Sequence, residues 1–265
     1  MKLSLVMPAY NEAAIIENSV RQVDLYLSEL GLEYEIIVGD DGSADGTGDL
    51  VRALGLERVR VLALPRKGKG NALTTCLRHA TGEYVGFIDS DLEIHISYVE
   101  GALNALIQGH DAAVASKTLL ADWSKNRSTP RRLVTAAYNG LVRTLFGTSI
   151  SDHQAGLKLF RGDRIRSMLP RIRSAGWLWD TEVLVMLSDS GDRICEIPVK
   201  TQPRDASRLG VAKSTLGVFS DLFQLYWTMR IRARWARDAA STGEATTCND
   251  LRSLSSKSNA DCPMA

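Results

Sequence analysis

The chain has 265 residues, enough to bury the core of one large α/β domain with or without appendages. Its 32 lysines and arginines nearly balance 31 aspartates and glutamates, and the net charge of +1 gives no overall reason to expect a nucleic-acid partner. The four cysteines have no paired spacing, so the sequence indicates neither a zinc site nor a disulfide framework and fits a reducing compartment.

The apolar start of the chain is interpreted as a strand and not as a secretion signal. Pro8 interrupts the apolar run, and the polar residues Asn11 and Glu12 follow it closely. No segment approaches roughly 18 uninterrupted apolar residues, so we expect no helix that spans a bilayer.

The first 93 residues alternate between apolar runs of strand length and segments of helical spacing. The predicted strands cover residues 3–7, 35–39, 59–64 and 84–88, and the predicted helices cover about 14–30, a short segment ending near 54, and 71–80. This alternation predicts an α/β fold, a mostly parallel sheet with helices on both faces. The polar loops all follow strand ends, so we expect them to gather at one edge of the sheet.

Two carboxylates, Asp89 and Asp91, directly follow the fourth predicted strand, with only Ser90 between them. Where a strand turns into a loop, such a pair can converge on one hard cation and leave most of its coordination shell open. That arrangement suits Mg²⁺ or Mn²⁺ carrying a diphosphate, with Glu93 as a possible third ligand. An isolated pair of this kind more often only caps the next turn.

The other loops contain groups suited to a nucleotide. Tyr10 offers a ring, Glu12 and Asp41 offer hydrogen-bond acceptors, and Lys69 with its flanking glycines suits close approach to phosphate. The first strand is followed by neither a P-loop nor a dinucleotide glycine motif, which disfavours both of those folds. Taken singly, Asp40, Asp41 and Asp45 are typical turn and cap residues.

Four motifs, MPAYNE, DDGSADGT, RKGKGNA and GEYVGFIDSDLE, occur in this order over residues 3–93. Together they resemble the nucleotide-sugar half of an inverting GT-A glycosyltransferase of family 2. The resemblance implies a donor nucleotide across Pro8, Tyr10, Glu12 and Asp41, with a divalent metal on Asp89 and Asp91. We place Lys69 and Asp89 in the nucleotide site as well.

The second half contains a predicted helix over 97–108, a strand over 112–116 and a helix over 131–146. The segment DHQAGLKLFR, residues 152–161, then resembles a signature of the polyprenyl-phosphate sugar synthases, the dolichyl-phosphate mannose and glucose synthase group. The later WDTE and EIPV segments, with Arg208 and Lys213, also resemble that group. Many mannose synthases have glutamine where Glu93 stands.

A lipid phosphate acceptor is consistent with the basic residues of this half. A phosphate monoester is already anionic near neutral pH and needs cations to hold it, whereas a sugar hydroxyl needs a general base. We predict Arg131 and Arg208 as phosphate ligands, since Arg131 begins a helix whose N-terminus adds a favourable dipole. Asp152 is a candidate catalytic or orienting carboxylate, and we expect His153 to be structural.

From about residue 214 the chain places aromatic and aliphatic residues at helical spacing, followed by an arginine cluster. This pattern fits an amphipathic helix on an anionic membrane face, or equally one packed on protein. We predict a catalytic domain over 1–213, the amphipathic helix over 214–238 and a disordered tail over 239–265.

These features predict a hexosyltransferase that uses a nucleoside diphosphate sugar, a polyprenyl phosphate acceptor and Mg²⁺ or Mn²⁺. GDP-mannose is the first choice of donor and UDP-glucose the second, and we expect a cytoplasmic protein held peripherally at a membrane. One alternative is a family 2 enzyme with a hydroxyl acceptor and Asp180 or Glu182 as base. Another is a nucleotide-sugar-binding protein without turnover.

Overall fold

The structure is a computed structural model that describes residues 2–120, 129–201 and 211–232. Seven strands form one sheet in the order β3-β2-β1-β4-β6-β5-β7. The strands are β1 Lys2–Ala9, β2 Glu33–Asp40, β3 Val59–Ala63, β4 Tyr84–Ile88, β5 Ala112–Ser116, β6 Leu157–Arg161 and β7 Ile194–Pro198. The helices are α1 Ile16–Glu29, α2 Thr47–Ala53, α3 Lys69–His79, α4 Tyr98–Ile107, α5 Thr129–Phe146, α6 Gly162–Met168, α7 Trp179–Asp189 and α8 Val211–Tyr226.

Strands β1 to β4 are mutually parallel, which confirms the predicted mostly parallel α/β fold. Strand β1 lies between β2 and β4, so β2 and β3 are added to the sheet on one side of β1 and β4 is added on the other side. Open α/β sheets bind ligands beyond the carboxyl ends of strands at such a switch point. The loops after β1, β2 and β4 lie there.

Strand β6 differs from its neighbours because it runs antiparallel to both β4 and β5. Its residues belong to the DHQAGLKLFR motif, and no strand was predicted there from the sequence. Its first residue, Leu157, pairs with Ile88 at the end of β4. The residues that precede β6 therefore arrive next to Asp89, at the same edge as the other loops.

Strands β4 and β5 have the predicted bounds, and the ends of the other elements predicted up to residue 146 differ from the observed ones by at most two residues. Strand β1 was predicted to end at residue 7 but extends through Pro8 to Ala9. The pairing of β1 with β4 ends at Val6, so Pro8 pairs only with Gly39 of β2, and its missing N–H costs no bond on the β4 side.

The sheet core is apolar on the strands and on one side of each covering helix. Val20, Val23 and Leu27 of α1 are fully buried in the same hydrophobic cluster as Leu5 and Val38. Each such side chain contributes about 1.5–3 kcal/mol to folding through burial. This packing fixes the strand ends that carry the site.

The chain divides into two compact units, Met1–Phe219 and Ser220–Ala265. Helix α8 continues into one wider turn, Trp227–Arg232, and exposes Phe223 and Trp227. Within the described ranges, no helix has the length and apolar content needed to cross a membrane. The predicted tail over 239–265 lies outside the described residues, and the predicted domain limits stay predictions.

Candidate active site

Asp41, at the end of β2, organises the basic loop that follows β3. Its carboxylate accepts hydrogen bonds from the backbone N–H groups of Lys67 and Gly68, both at 2.9 Å, and from Arg66 Nη1 at 2.8 Å. The Arg66 guanidinium in turn lies 3.3 Å from the centre of the Tyr10 ring. The structure thus brings together Tyr10 and Asp41, two of the predicted nucleotide-binding residues.

The acidic residues near Asp41 serve the loops themselves. Asp45 accepts hydrogen bonds from Ala13 N at 3.0 Å and Thr47 N at 3.1 Å, and Asp40 accepts one from Ser43 N at 3.0 Å. These contacts confirm the interpretation of Asp40 and Asp45 as turn and cap residues. They also tie the loop after β1, which carries Glu12, to the loop after β2.

Asp89 lies against the backbone of the segment that leads into β6. Its N–H donates to the Gly156 carbonyl at 2.9 Å. A Cβ on residue 156 would lie 2.8 Å from Asp89 Cγ and overlap the carboxylate, so only glycine fits there. The glycine of the DHQAG segment therefore makes room for Asp89.

Lys69, the first residue of α3, points to the same carboxylate. Its Nζ lies 2.7 Å from Asp89 Oδ1 and 3.8 Å from Asp180 Oδ2. Two rings flank this ammonium, with the centre of Phe87 at 5.0 Å and that of Trp177 at 5.5 Å. Lys69 and Asp89, both predicted as nucleotide-binding residues, thus form an ion pair at the mouth of the site.

A second lysine lies beneath this pair. Lys158 on β6 is fully buried and donates to Asp180 Oδ1 at 2.6 Å and to the Ala155 carbonyl at 2.8 Å. Burial lowers the pKa of the Lys158 ammonium, although the Asp180 carboxylate opposes the change. Asp180 therefore lies between Lys158 and Lys69.

The charges of the cluster act on one another. Burial tends to lower the pKa of Lys69, but the charges of Asp89 and Asp180 outweigh it and raise that pKa. Burial raises the pKa of the Asp89 carboxyl in spite of Lys69. A cation bound by Asp89 would favour its ionised form.

Asp152 is fully buried just before β6. Its Oδ1 accepts a hydrogen bond from Gln154 N at 3.2 Å. Its Oδ2 accepts none from the residues that the structure describes, and Lys117 Nζ lies 3.7 Å from it. An anionic oxygen without a hydrogen bond is costly when buried, so the nearby ammonium is its main compensation.

His153 has the structural environment that its sequence context predicts. Its Nδ1 lies 3.0 Å from Asn139 Oδ1 and its Nε2 lies 2.9 Å from Thr148 Oγ1. Burial lowers the pKa of the imidazole to about 4, so the ring is neutral at physiological pH. A neutral ring that donates from Nδ1 to Asn139 and accepts from Thr148 satisfies both contacts.

Comparison with known proteins decides the family. Residues 4–168 match the family described as glycosyl transferase family 2, which is more than half of the chain. The chain belongs to this family.

Two curated proteins resemble this family 2 glycosyltransferase over most of its length. Glycosyltransferase AglD of Haloferax volcanii is 32% identical over 246 residues, which are 89% of this chain and 39% of that protein. The dolichyl-phosphate beta-glucosyltransferase of Saccharomyces cerevisiae is 28% identical over 242 residues, 83% of this chain and 72% of that protein. The chain thus spans well under half of the archaeal protein.

Among solved structures, the chain superposes on glucosyl-3-phosphoglycerate synthase of Mycobacterium tuberculosis with a TM-score of 0.67. That structure is a complex with Mn²⁺, uridine diphosphate and phosphoglyceric acid. It is 23% identical and covers 85% of this chain and 78% of that one. The likeness supports the GT-A fold of the transferase.

The carboxylates predicted as metal ligands have different surroundings in the transferase. Asp91 Oδ1 accepts a hydrogen bond from the Glu93 N–H at 3.0 Å. This contact caps a turn, which is the simpler role considered for such a carboxylate in the sequence. Within the described ranges, no three His, Cys, Asp or Glu residues form a group that could hold a metal ion.

Two carboxylates nevertheless fit Mg²⁺ or Mn²⁺. The Asp89 side chain is about one-third exposed, with Lys69 as its cationic neighbour. A hard cation that takes its remaining ligands from water and diphosphate needs only one or two protein oxygens. The ligand assignments of Asp89, Asp91 and Glu93 stay predictions.

Both carboxylates considered as bases for a hydroxyl acceptor have other partners. Asp180 contacts the two lysines, and only 1% of it is exposed. Glu182 accepts hydrogen bonds from Arg173 N at 3.0 Å and Ser174 N at 2.7 Å, so it holds the loop before α7.

The two arginines predicted to bind phosphate are not placed by the structure. Arg131 lies in α5, where the backbone is described but this side chain is not, and Arg208 lies outside the described residues. Pro8 is buried in β1, and Glu12 N donates to Thr47 Oγ1 at 2.9 Å. The nucleotide contacts of these two residues stay predictions.

Lys158 and Trp177 were not predicted from the sequence as site residues. Lys158 interrupts an apolar run of β6, and a charged residue within a buried strand signals a partner elsewhere in the chain. Trp177 gave no periodic signal because it lies in the loop before α7.

Proposed function

We propose that this transferase moves a hexose from a nucleoside diphosphate sugar to a polyprenyl phosphate, with inversion at the anomeric carbon. The observation that carries the proposal is the engagement of Asp180 by lysines and of Glu182 by backbone N–H groups. The two carboxylates considered as bases for an acceptor hydroxyl are thus both engaged elsewhere, whereas a phosphate monoester brings its own anionic nucleophile and needs no base. The relative from Saccharomyces cerevisiae is a dolichyl-phosphate beta-glucosyltransferase by name, which supports the same acceptor class.

The residues divide the reaction between them. Asp89 and Asp91 would hold the divalent ion, which when bound neutralises charge on the leaving diphosphate. Lys69, 2.7 Å from Asp89, adds a second positive charge at the same place. An oxygen of the lipid phosphate bonds to C1 as the bond from C1 to the diphosphate oxygen breaks, and no proton needs to be removed.

The donor sugar is the finer part of the proposal. The sequence favoured GDP-mannose over UDP-glucose, without a residue that reads the base. The yeast relative and one from Dictyostelium discoideum are both named dolichyl-phosphate beta-glucosyltransferases, which supports UDP-glucose as the first donor to test. We propose that the enzyme works at a membrane surface, where such lipids reside.

A transfer assay tests the proposal. Purified protein, Mn²⁺ and labelled UDP-glucose or GDP-mannose are incubated with and without a polyprenyl phosphate, and label is counted in the organic phase. We expect organic-phase label that requires both lipid and metal. Donor binding without such label would contradict the lipid acceptor and favour a hydroxyl acceptor.

Paired variants test the proposed metal ligands in the same assay. Asp91→Ala should reduce transfer by at least about 100-fold, because it removes a charge that holds the diphosphate's ion. Asp49→Ala removes an exposed carboxylate from α2 and should leave transfer unchanged. Full activity of Asp91→Ala with Mg²⁺ or Mn²⁺ would overturn the metal assignment.

A further inference from the structure

Two tryptophans lie two residues apart, Trp177 in the loop before α7 and Trp179 at the first position of α7, and their environments are opposite. Trp179 is fully buried, packs edge-on against Phe87 with ring centres 5.8 Å apart, and donates from Nε1 to Thr74 Oγ1 at 2.8 Å. Trp177 is 52% exposed. Trp179 thus anchors the segment in the core, and Trp177 displays a large apolar ring at its surface.

The backbone of Trp177 is held from beneath. Its carbonyl accepts a hydrogen bond from Gln154 Nε2 at 3.2 Å, and the same amide nitrogen contacts Tyr138 Oη at 3.1 Å and Thr181 Oγ1 at 3.0 Å. Tyr138 and Thr181 are themselves hydrogen-bonded at 2.5 Å. Because its backbone is already fixed in this way, the exposed ring has less conformational freedom to lose when a ligand covers it.

The position of the ring relates it to the proposed diphosphate site. Lys69 Nζ lies 5.5 Å from the centre of the Trp177 ring and 2.7 Å from Asp89 Oδ1. The indole therefore borders the place where the leaving diphosphate would lie. Single exposed aromatic residues are common on protein surfaces and need no explanation by themselves. Trp177 differs because its ring lies beside Lys69, at the proposed diphosphate site.

We propose that the indole of Trp177 is the surface on which the hexose of the donor stacks. This inference rests on the proposed function and adds a sugar subsite to it. A pyranose has a face of C–H groups whose hydrogens carry partial positive charge, and the face of an aromatic ring is its negative side. The hexose is bonded to the diphosphate, so it must lie within one sugar's length of Asp89, where Trp177 is.

The inference predicts a selective loss of binding. Without lipid acceptor, the affinities of the donor sugar nucleotide and of its nucleoside diphosphate are measured by calorimetry with Mn²⁺ for wild type, Trp177→Ala and Trp177→Phe. Trp177→Ala should weaken the sugar nucleotide about tenfold and change the nucleoside diphosphate less than about twofold. Trp177→Phe should restore most of the difference because it retains an aromatic face.

A matched control and three outcomes complete the test. Leu25→Ala removes a 60% exposed side chain from α1 and should alter neither affinity. Equal weakening of both ligands by Trp177→Ala, or no weakening of either, overturns the inference. So does reduced sedimentation with anionic vesicles at unchanged donor affinity, which would place Trp177 at the membrane.

The proposed function fails separately from this inference. A wild-type protein that binds neither UDP-glucose nor GDP-mannose contradicts both. A wild-type protein that binds a donor but transfers nothing to lipid phosphate contradicts only the acceptor, and the comparison between variants still decides the role of Trp177.

Discussion

Gly156 determines where the Asp89 carboxylate can lie, because the carboxylate fills the space of the missing side chain. Gly156→Ala should displace Asp89 and weaken the binding of donor with Mn²⁺ by about tenfold or more, since small misplacements of site groups are costly. Gly140→Ala is the matched control, because a Cβ there meets nothing within 4 Å. It should raise the free energy of unfolding by about 0.5–1 kcal/mol, since alanine favours the helix α5 more than glycine does. Calorimetric binding and urea unfolding of both variants check the two expectations, and unchanged binding by Gly156→Ala would refute the first.

His153 should make the stability of the protein depend on pH. Its folded pKa is about 4 because of burial, and its unfolded pKa is about 6.5. Between these values the unfolded chain binds a proton that the folded chain does not, so the free energy of unfolding falls as the pH drops. The full loss is about 3 kcal/mol and is complete below the folded pKa.

The measurement for His153 compares the free energy of unfolding at pH 7 and pH 4.5 in wild type and His153→Gln. The glutamine does not titrate, so its variant should lose less stability over this interval. Other titrating groups are common to both proteins and cancel in the difference. Equal losses in the two proteins would show that His153 is not the cause.

At the scale of elements, Asp41 joins the end of β2 to the loop before α3. Asp41→Ala leaves the N–H groups of Lys67 and Gly68 without their acceptor, which should cost about 1–3 kcal/mol of unfolding free energy. It should also weaken nucleotide binding, because Lys69 follows directly on this loop. Denaturant unfolding checks the first effect, with the exposed Asp49→Ala as the control expected to change stability by under about 0.5 kcal/mol.

The ion pair of Lys158 and Asp180 joins β6 to α7 in the same way. A buried pair adds little net stability over an apolar pair, but either charge left alone is strongly unfavourable. The pair therefore favours one arrangement of β6 against α7. That arrangement also brings Asp180 to 3.8 Å from Lys69 and so connects the two sides of the site.

At the scale of the molecule, the sequence predicts the first five strands well because each is an apolar run ended by polar turn residues. It also predicts that the loops containing Asp41 and Asp89 meet, since parallel strands end at one edge. It does not predict the direction of β6, because antiparallel pairing leaves no mark on an apolar run of five residues. The pairing of Lys158 with Asp180 depends on that direction, so it was missed as well.

The reversed direction of β6 has a practical consequence for redesign. For the parallel strands, the residues at the site follow the end of the strand. For the antiparallel strand β6, the residues at the site are 147–156, which precede the start of the strand. The loops proposed for the donor and the segment that contains Asp152 and Gln154 are thus separate stretches of the gene. We expect that a combinatorial library confined to residues 147–151 can search for new acceptors while Gln154, Gly156 and the donor loops keep their wild-type sequence.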